Sequence, residues 1–191
     1  FSAPEIHKKL SLRASVTSEL VLDDVRLPDS ALLPGATSLR GPLSCLNEAR
    51  YGIVWGAAGA ARACFEAALD YATTRIQFGK PIASFQLIQQ RLAEMATKVN
   101  QASLLALHLG RLKDAGRLRP EHVSMGKLAN VNAALEVART ARQVMGANGI
   151  TLEYPVIRHM NNLESVVTYE GTADVHALVI GSALTGIPAF R

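Results

Sequence analysis

The spacing of apolar side chains changes character early in the chain. Residues 9–16 alternate, with Leu10, Leu12, Ala14 and Val16 on one side and Ser11, Arg13 and Ser15 on the other, which is the period of a strand. A second run, residues 19–27, ends at Pro28 and is followed by a Pro34-Gly35 turn, so the start reads as two strands and an exit loop. An isolated strand pair is marginal in water. The segment is therefore expected to complete a sheet whose other strands lie outside this chain, which would make the chain a C-terminal piece.

From Pro42 the period becomes helical. Leu46, Ile53, Ala57, Ala60, Cys64, Ala67 and Tyr71 fall at three- and four-residue steps, up to the breakers Gly79 and Pro81. Residues 56–61 carry only small side chains, so either a neighbouring helix or a ligand can approach that backbone closely. Ser84 is placed to cap a second helix with the stripe Ile88, Leu92, Met95, Val99, Ala102, Ala106 and Leu109, running to about Gly116. Pro120 suits the first turn of a third, whose inner side carries Leu128, Val131, Leu135, Ala138 and Met145 before the Asn148-Gly149 stop. Pro155 opens a short helix, and residues 175–187 form the last. Long helices joined by short turns give a mainly α fold, an up-down four-helix bundle over residues 39–191 preceded by the end of a β domain over residues 1–38.

Composition agrees with that pattern. The 191 residues are 49% apolar, 19% charged and 5% aromatic, an Ala- and Leu-rich helical balance. The net charge of +4 comes from dispersed Lys and Arg, with no basic run or aromatic ladder, so nucleic acid is not an expected partner, whereas a polyanionic coenzyme is compatible. Cys45 and Cys64 read as reduced core residues in one helix, and no His/Cys cluster suggests a metal. The longest uncharged apolar run stops at Arg62, short of a bilayer span, so no membrane insertion is expected. No leader peptide is visible ahead of Phe1.

Candidate chemistry gathers at Thr168-Tyr169-Glu170-Gly171-Thr172-Ala173-Asp174. A Glu followed by Gly leaves the backbone beside the carboxylate open to close approach. Thr172 can cap the helix that follows, with Asp174 in its first turn. On local chemistry alone, Glu170 is either a general base or a solvated loop carboxylate. Arg75 is either a phosphate ligand or a helix C-terminal cap, and Arg50 either a ligand contact or a buried interhelical ion pair. Glu48 reads as a surface helix residue; His108, His122, His159 and His176 read as solvent or packing residues.

Four stretches occur together in one known order: Arg75-Ile76-Gln77-Phe78-Gly79-Lys80-Pro81, Gln143-Val144-Met145-Gly146-Ala147-Asn148-Gly149, Glu153-Tyr154-Pro155, and Tyr169-Glu170-Gly171-Thr172. On these the chain resembles the C-terminal half of the acyl-CoA dehydrogenases. Asp24-Val25-Arg26-Leu27-Pro28 is similar to that family's exit from its β domain. Residues 9–15, 45–53 and 168–177 look most like the glutaryl-CoA dehydrogenases.

The resemblance implies a flavoenzyme in which Glu170 abstracts the α-proton of a CoA thioester. It implies FAD contacts from Arg75, Gln77, Phe78, Gln86, Gln143, Gly146, Ala147 and Thr172, and acyl-CoA contacts from Leu43, Asn47, Arg50, Gly171 and Phe190. Ala147 replaces one of the family's usual paired glycines, which bears on how closely that backbone is approached. Some relatives carry the base where Ala49 stands, and alanine cannot serve. The resemblance further implies a homotetramer, an electron-transfer flavoprotein as electron acceptor, and a location in the cytoplasm of a bacterium or the mitochondrial matrix of a eukaryote. The activity that the resemblance implies is oxidative decarboxylation of glutaryl-CoA to crotonyl-CoA and CO2; the rival readings are another short-chain acyl-CoA dehydrogenase without decarboxylation and a helical binding or assembly module that keeps the fold without catalysis.

Overall fold

The computed structural model describes residues 1–189, so Phe190 lies outside the described residues. Five helices dominate it: α1 (Arg40–Thr74), α2 (Gln86–Asp114), α3 (Pro120–Val144), α4 (Val156–Val166) and α5 (Ala173–Thr185). A two-residue hairpin, β1 (Ile76–Gln77) with β2 (Lys80–Pro81), joins α1 to α2. Side-chain contacts set the directions. Lys113 near the end of α2 pairs with Glu48 near the start of α1, and Lys98 of α2 pairs with Glu136 late in α3. Consecutive long helices therefore run antiparallel. Helix α3 is central, packing on α1 and α2 and carrying α4 and α5 against its other flank.

Small residues let the three long helices approach closely. The core interleaves Ala57, Ala61, Cys64, Ala68 and Ala72 of α1 with Leu92 and Met95 of α2 and Val131, Ala134, Val137, Ala138 and Ala141 of α3. At Gly126 a Cβ would clash with Leu109 and stand 3.0 Å from Val54, so only glycine fits where the helices meet. Asn130 is buried there, and its amide donates to the carbonyls of Val54 and Ala102, both at 3.0 Å, tying all three helices at one level.

The expected α1 stripe is met in part. Ala57 and Cys64 are buried as expected, with Val54, Ala58, Ala61, Ala68 and Ala72 beside them, while Leu46, Ile53, Ala60, Ala67 and Tyr71 are half-buried at the margin. No α1 residue before Val54 is fully buried, and Cys45 is exposed rather than in the core. Cys64 is fully buried, and burial pushes its thiol up to about 12. Ser84 does not cap α2. It lies in a 3-10 turn, Ile82–Ser84, its hydroxyl donating to the Pro81 carbonyl, and α2 begins at Gln86.

The two expected strands do not form. Only the bridges Ser2↔Val21 and Glu5↔Ser18 pair the segment, and residues 10–15 turn instead. The Lys9 ammonium gathers the carbonyls of Leu12 and Ser15, acceptors that a strand ladder would need, and Leu12 adopts φ 50°. On the apolar side of the alternation, Leu10 and Val16 are exposed. The turn is fastened to α4, with the Leu12 N–H donating to Asn162 Oδ1 at 2.7 Å and the Ser165 hydroxyl donating to Ser11 Oγ at 2.6 Å. No helix among the described residues is long and apolar enough to cross a membrane.

Candidate functional site

Two places collect the residues singled out in the sequence. The first is a cleft of about 1020 Å³ between the α1–α2 connection and the end of α3, lined by Arg75, Gln77, Phe78, Lys80, Gln86, Arg91, Gly146 and Ala147 among others. Arg75 ends α1 in an extended conformation, its N–H donating to the Tyr71 carbonyl at 2.8 Å, so the chain leaves the helix straight into the hairpin. Phe78 and Gly79 turn that hairpin with φ 52° and 76°, the type I′ geometry that favours glycine or asparagine at both positions. Phe78 is nevertheless there, 91% exposed, with only an edge contact to Phe85 at 6.0 Å. On the opposite wall α3 stops at Val144, and Gly146 takes φ 58°. Asn148 donates to the Tyr71 hydroxyl at 2.8 Å and holds the two walls together. The cleft carries three cations, Arg75, Lys80 and Arg91, and no carboxylate.

Six of the eight residues assigned to the cofactor meet in this cleft. Gln143 does not line it; it is exposed on the last turn of α3. Thr172 is elsewhere, capping α5, where its Oγ1 accepts from the Val175 N–H at 3.3 Å. Its own O–H is left to donate. A lining of three cations that form no ion pair among the described residues, an exposed aromatic ring and a glycine-turned backbone fits the phosphates and ring of a dinucleotide such as FAD.

The second place is the loop from α4 to α5. Glu170 is held at φ 55° and Gly171 at φ 97°. A non-glycine residue in the left-handed region costs about 1–3 kcal/mol and persists only where its surroundings impose it. Here the surroundings are two cations. Arg50 of α1 donates through Nε to the Glu170 carbonyl at 2.6 Å. Lys127 of α3 donates to the Tyr169 carbonyl and to the Gly171 carbonyl, the latter at 2.8 Å. One carboxylate oxygen of Glu170, Oε2, is buried without a hydrogen-bond partner among the described residues.

His176 closes the back of the loop. It is buried, Nδ1 stands 3.1 Å from Ser124 Oγ, and Nε2 has no partner among the described residues. A Cβ on Gly171 would press against this ring at 3.1 Å, which together with its φ requires glycine. Burial, then the charges of Lys127 and Arg50, lower His176 to about 4, so it is neutral near pH 7. Burial lowers Lys127 to about 8, opposed by Glu170. Tyr169 is raised, first by burial and then by Glu170.

Of the residues assigned to substrate, Arg50 and Gly171 come together here, since Arg50 Nη2 lies 3.6 Å from the Gly171 Cβ position. Leu43 and Asn47 share Arg50's face of α1, two turns and one turn earlier. Arg50 makes no interhelical ion pair; its Nε is spent on a backbone carbonyl. Glu48 is a surface residue paired with Lys113. Beside the loop, a groove of about 370 Å³ runs between α1 and α4, walled by Gly52, Ile53, Gly56, Ala60, Leu163, Val166 and Tyr169. The small segment thus serves twice: Ala57, Ala58 and Ala61 are buried in the bundle, whereas Gly56 and Ala60 open on the groove.

Sequence reasoning missed Lys127 and Ser124, and placed His176 only as a solvent or packing residue. The signal was present. Ser124 and Lys127 continue the stripe of Val131, Leu135 and Ala138 backwards at three- and four-residue steps, so a lysine occupies a core position of α3. Lysine is almost never fully buried without a specific task.

The family described as acyl-CoA dehydrogenase, C-terminal domain, matches residues 40–185. The glutaryl-CoA dehydrogenase of Desulfococcus multivorans is 38% identical over 183 residues, 94% of this chain and 47% of that protein. Two crystal structures of glutaryl-CoA dehydrogenase from Mycobacterium smegmatis superpose with TM-scores of 0.97 over the whole chain. One is 68% identical and covered to 49%; the other, in complex with FADH2, is 60% identical and covered to 50%. The chain spans about half the length of the relatives it matches.

Proposed function

The chain belongs to the acyl-CoA dehydrogenase family, which is FAD-dependent, and we propose that it forms the C-terminal half of a subunit converting glutaryl-CoA to crotonyl-CoA and CO2. The observation that carries the assignment is Glu170: strained at φ 55°, with a buried oxygen that no described residue satisfies. An unengaged carboxylate oxygen is free to accept a proton from a substrate bound against it.

In this reading Glu170 removes the α-proton of the thioester. FAD, when bound, would supply the acceptor for the hydride that leaves the β-carbon. The bond between the γ-carbon and the distal carboxylate then breaks, its electron pair entering a dienolate as CO2 leaves. Protonated Glu170 returns a proton to the γ-carbon, giving crotonyl-CoA. Enolate charge on the thioester oxygen calls for preorganised donors. The N–H of Glu170 is placed for that role: it donates to no described residue, and its loop's carbonyls are occupied by Arg50 and Lys127. Arg75, Gln86, Phe78 and the Gly146 turn would hold the dinucleotide part of FAD, and the Thr172 hydroxyl would reach it from the loop. A homotetramer and an electron-transfer flavoprotein as acceptor complete the proposal.

The test uses the full-length protein loaded with FAD. Glutaryl-CoA should bleach the flavin and release CO2 in equal amount, and Glu170→Gln should slow bleaching at least about a thousandfold with FAD retained. Bleaching without CO2 would place the protein among the non-decarboxylating dehydrogenases. Wild-type bleaching by Glu170→Gln would remove Glu170 as the base.

A further inference from the structure

The three successive carbonyls of residues 169–171 are all taken by two cations from different helices, Lys127 on the outer pair and Arg50 on the middle one. Carbonyls of a short loop ordinarily accept from backbone or water. Here they accept from a lysine whose residue is 1% exposed and which forms no ion pair within 4 Å of a described carboxylate. Burying an ammonium without a paired acid is unfavourable, and a methionine would fill a similar volume in the α3 core with no charge to desolvate. Stability of the bundle alone therefore does not account for Lys127.

Its geometry does. An ammonium presents three donors on a tetrahedron. Two are used on carbonyls two residues apart, which requires the intervening peptide to turn, and the residue at that turn is Glu170. With the carbonyls drawn toward α3 and α1, the N–H groups of Glu170 and Gly171 donate to no described residue. The charge also lies near the carboxylate. The groups facing the ammonium are Arg50 from α1, Tyr169 and Glu170 from the loop, and neutral His176 from α5. The remaining walls of that corner, including Leu128, Val131, Val167 and Ala173, carry no charge.

We infer that Lys127 is a positioning residue for the reaction: with Arg50 it clamps the carbonyls of residues 169–171, fixing the turn that presents the Glu170 carboxylate and N–H to substrate. This rests on the assignment of Glu170 as base. In the FAD-loaded full-length protein, Lys127→Met should slow flavin reduction about a hundredfold while substrate affinity and FAD content stay within about threefold, a loss confined to the bound state. Lys127→Arg, which keeps N–H donors for the two carbonyls, should restore part of that rate.

If Lys127→Met does not load FAD, Lys127→Gln, which can reach only one carbonyl with a neutral donor, carries the same expectation of a slower rate at kept substrate affinity. A wild-type rate in either neutral variant would overturn the inference, as would equal losses of substrate affinity and rate. The two assignments fail separately. A dead Glu170→Gln beside an unaffected Lys127→Met removes only the positioning role, whereas an active Glu170→Gln removes the base itself.

Discussion

The cleft at Arg75 and the loop at Glu170 both hold a non-glycine residue in the left-handed region, yet they do so by opposite means. Phe78 is strained at an exposed hairpin tip where almost nothing within the chain touches it. Glu170 is strained inside a cage of Arg50, Lys127 and His176 that occupies its carbonyls and packs on Gly171. The loop is therefore preorganised by this chain's own core. The cleft is a lining of charge and exposed aromatic surface. Under the proposed function, catalytic geometry, which tolerates little error, would be built on α1, α3 and α5, and cofactor binding, which can draw on many contacts, would be left to segments at the bundle's end.

The largest effect that separates the two regions is acid sensitivity. His176 is lowered from 6.5 to about 4, so the unfolded chain binds the extra proton first. Its contribution is present above about pH 6.5 and is lost as pH falls toward 4, amounting to about 3 kcal/mol. His176→Gln should remove that share of the slope of unfolding free energy against pH between 6.5 and 4, measured by urea titration. An unchanged slope would mean that the ring is not held neutral by its burial beside Lys127. Next in size is Arg75→Ala. Losing a charge-assisted contact to phosphate should weaken FAD binding about 10- to 100-fold, with α1 intact by circular dichroism. Equal FAD affinity would reduce Arg75 to the helix cap that its backbone already makes.

Periodicity made the bundle legible because α2 and α3 carry long, regular stripes, and Leu92, Met95, Ala102, Ala106 and Leu109 are buried as their spacing requires. It failed at residues 9–16, where alternation was real but no described strand pairs with the segment as a ladder, and Lys9 holds two of its carbonyls instead. The loop was legible in Glu170, Gly171 and the Thr172 cap, whose chemistry is local. Its cage was not. Lys127 and His176 lie 43 and 6 residues from Glu170, and nothing along the chain states that α3 and α5 bring them together. Only the misplaced charge in the α3 stripe hinted at it.

The smallest effect tests whether the cleft's strain serves a ligand. Phe78 occupies the first position of a type I′ turn at φ 52°, beside Gly79 at 76°. Asparagine is much better suited there, and Asn-Gly is the preferred pair for such a hairpin. Phe78 is also 91% exposed, so its removal forfeits little beyond the edge contact with Phe85. Phe78→Asn should therefore raise stability by about 0.5–1 kcal/mol in the absence of cofactor. The same variant should bind FAD more weakly, since the ring is the aromatic surface that the turn holds out. A gain in stability with unchanged FAD affinity would leave the phenylalanine without a ligand. A loss of stability would mean that the hairpin, like the Glu170 loop, is fixed by its own packing.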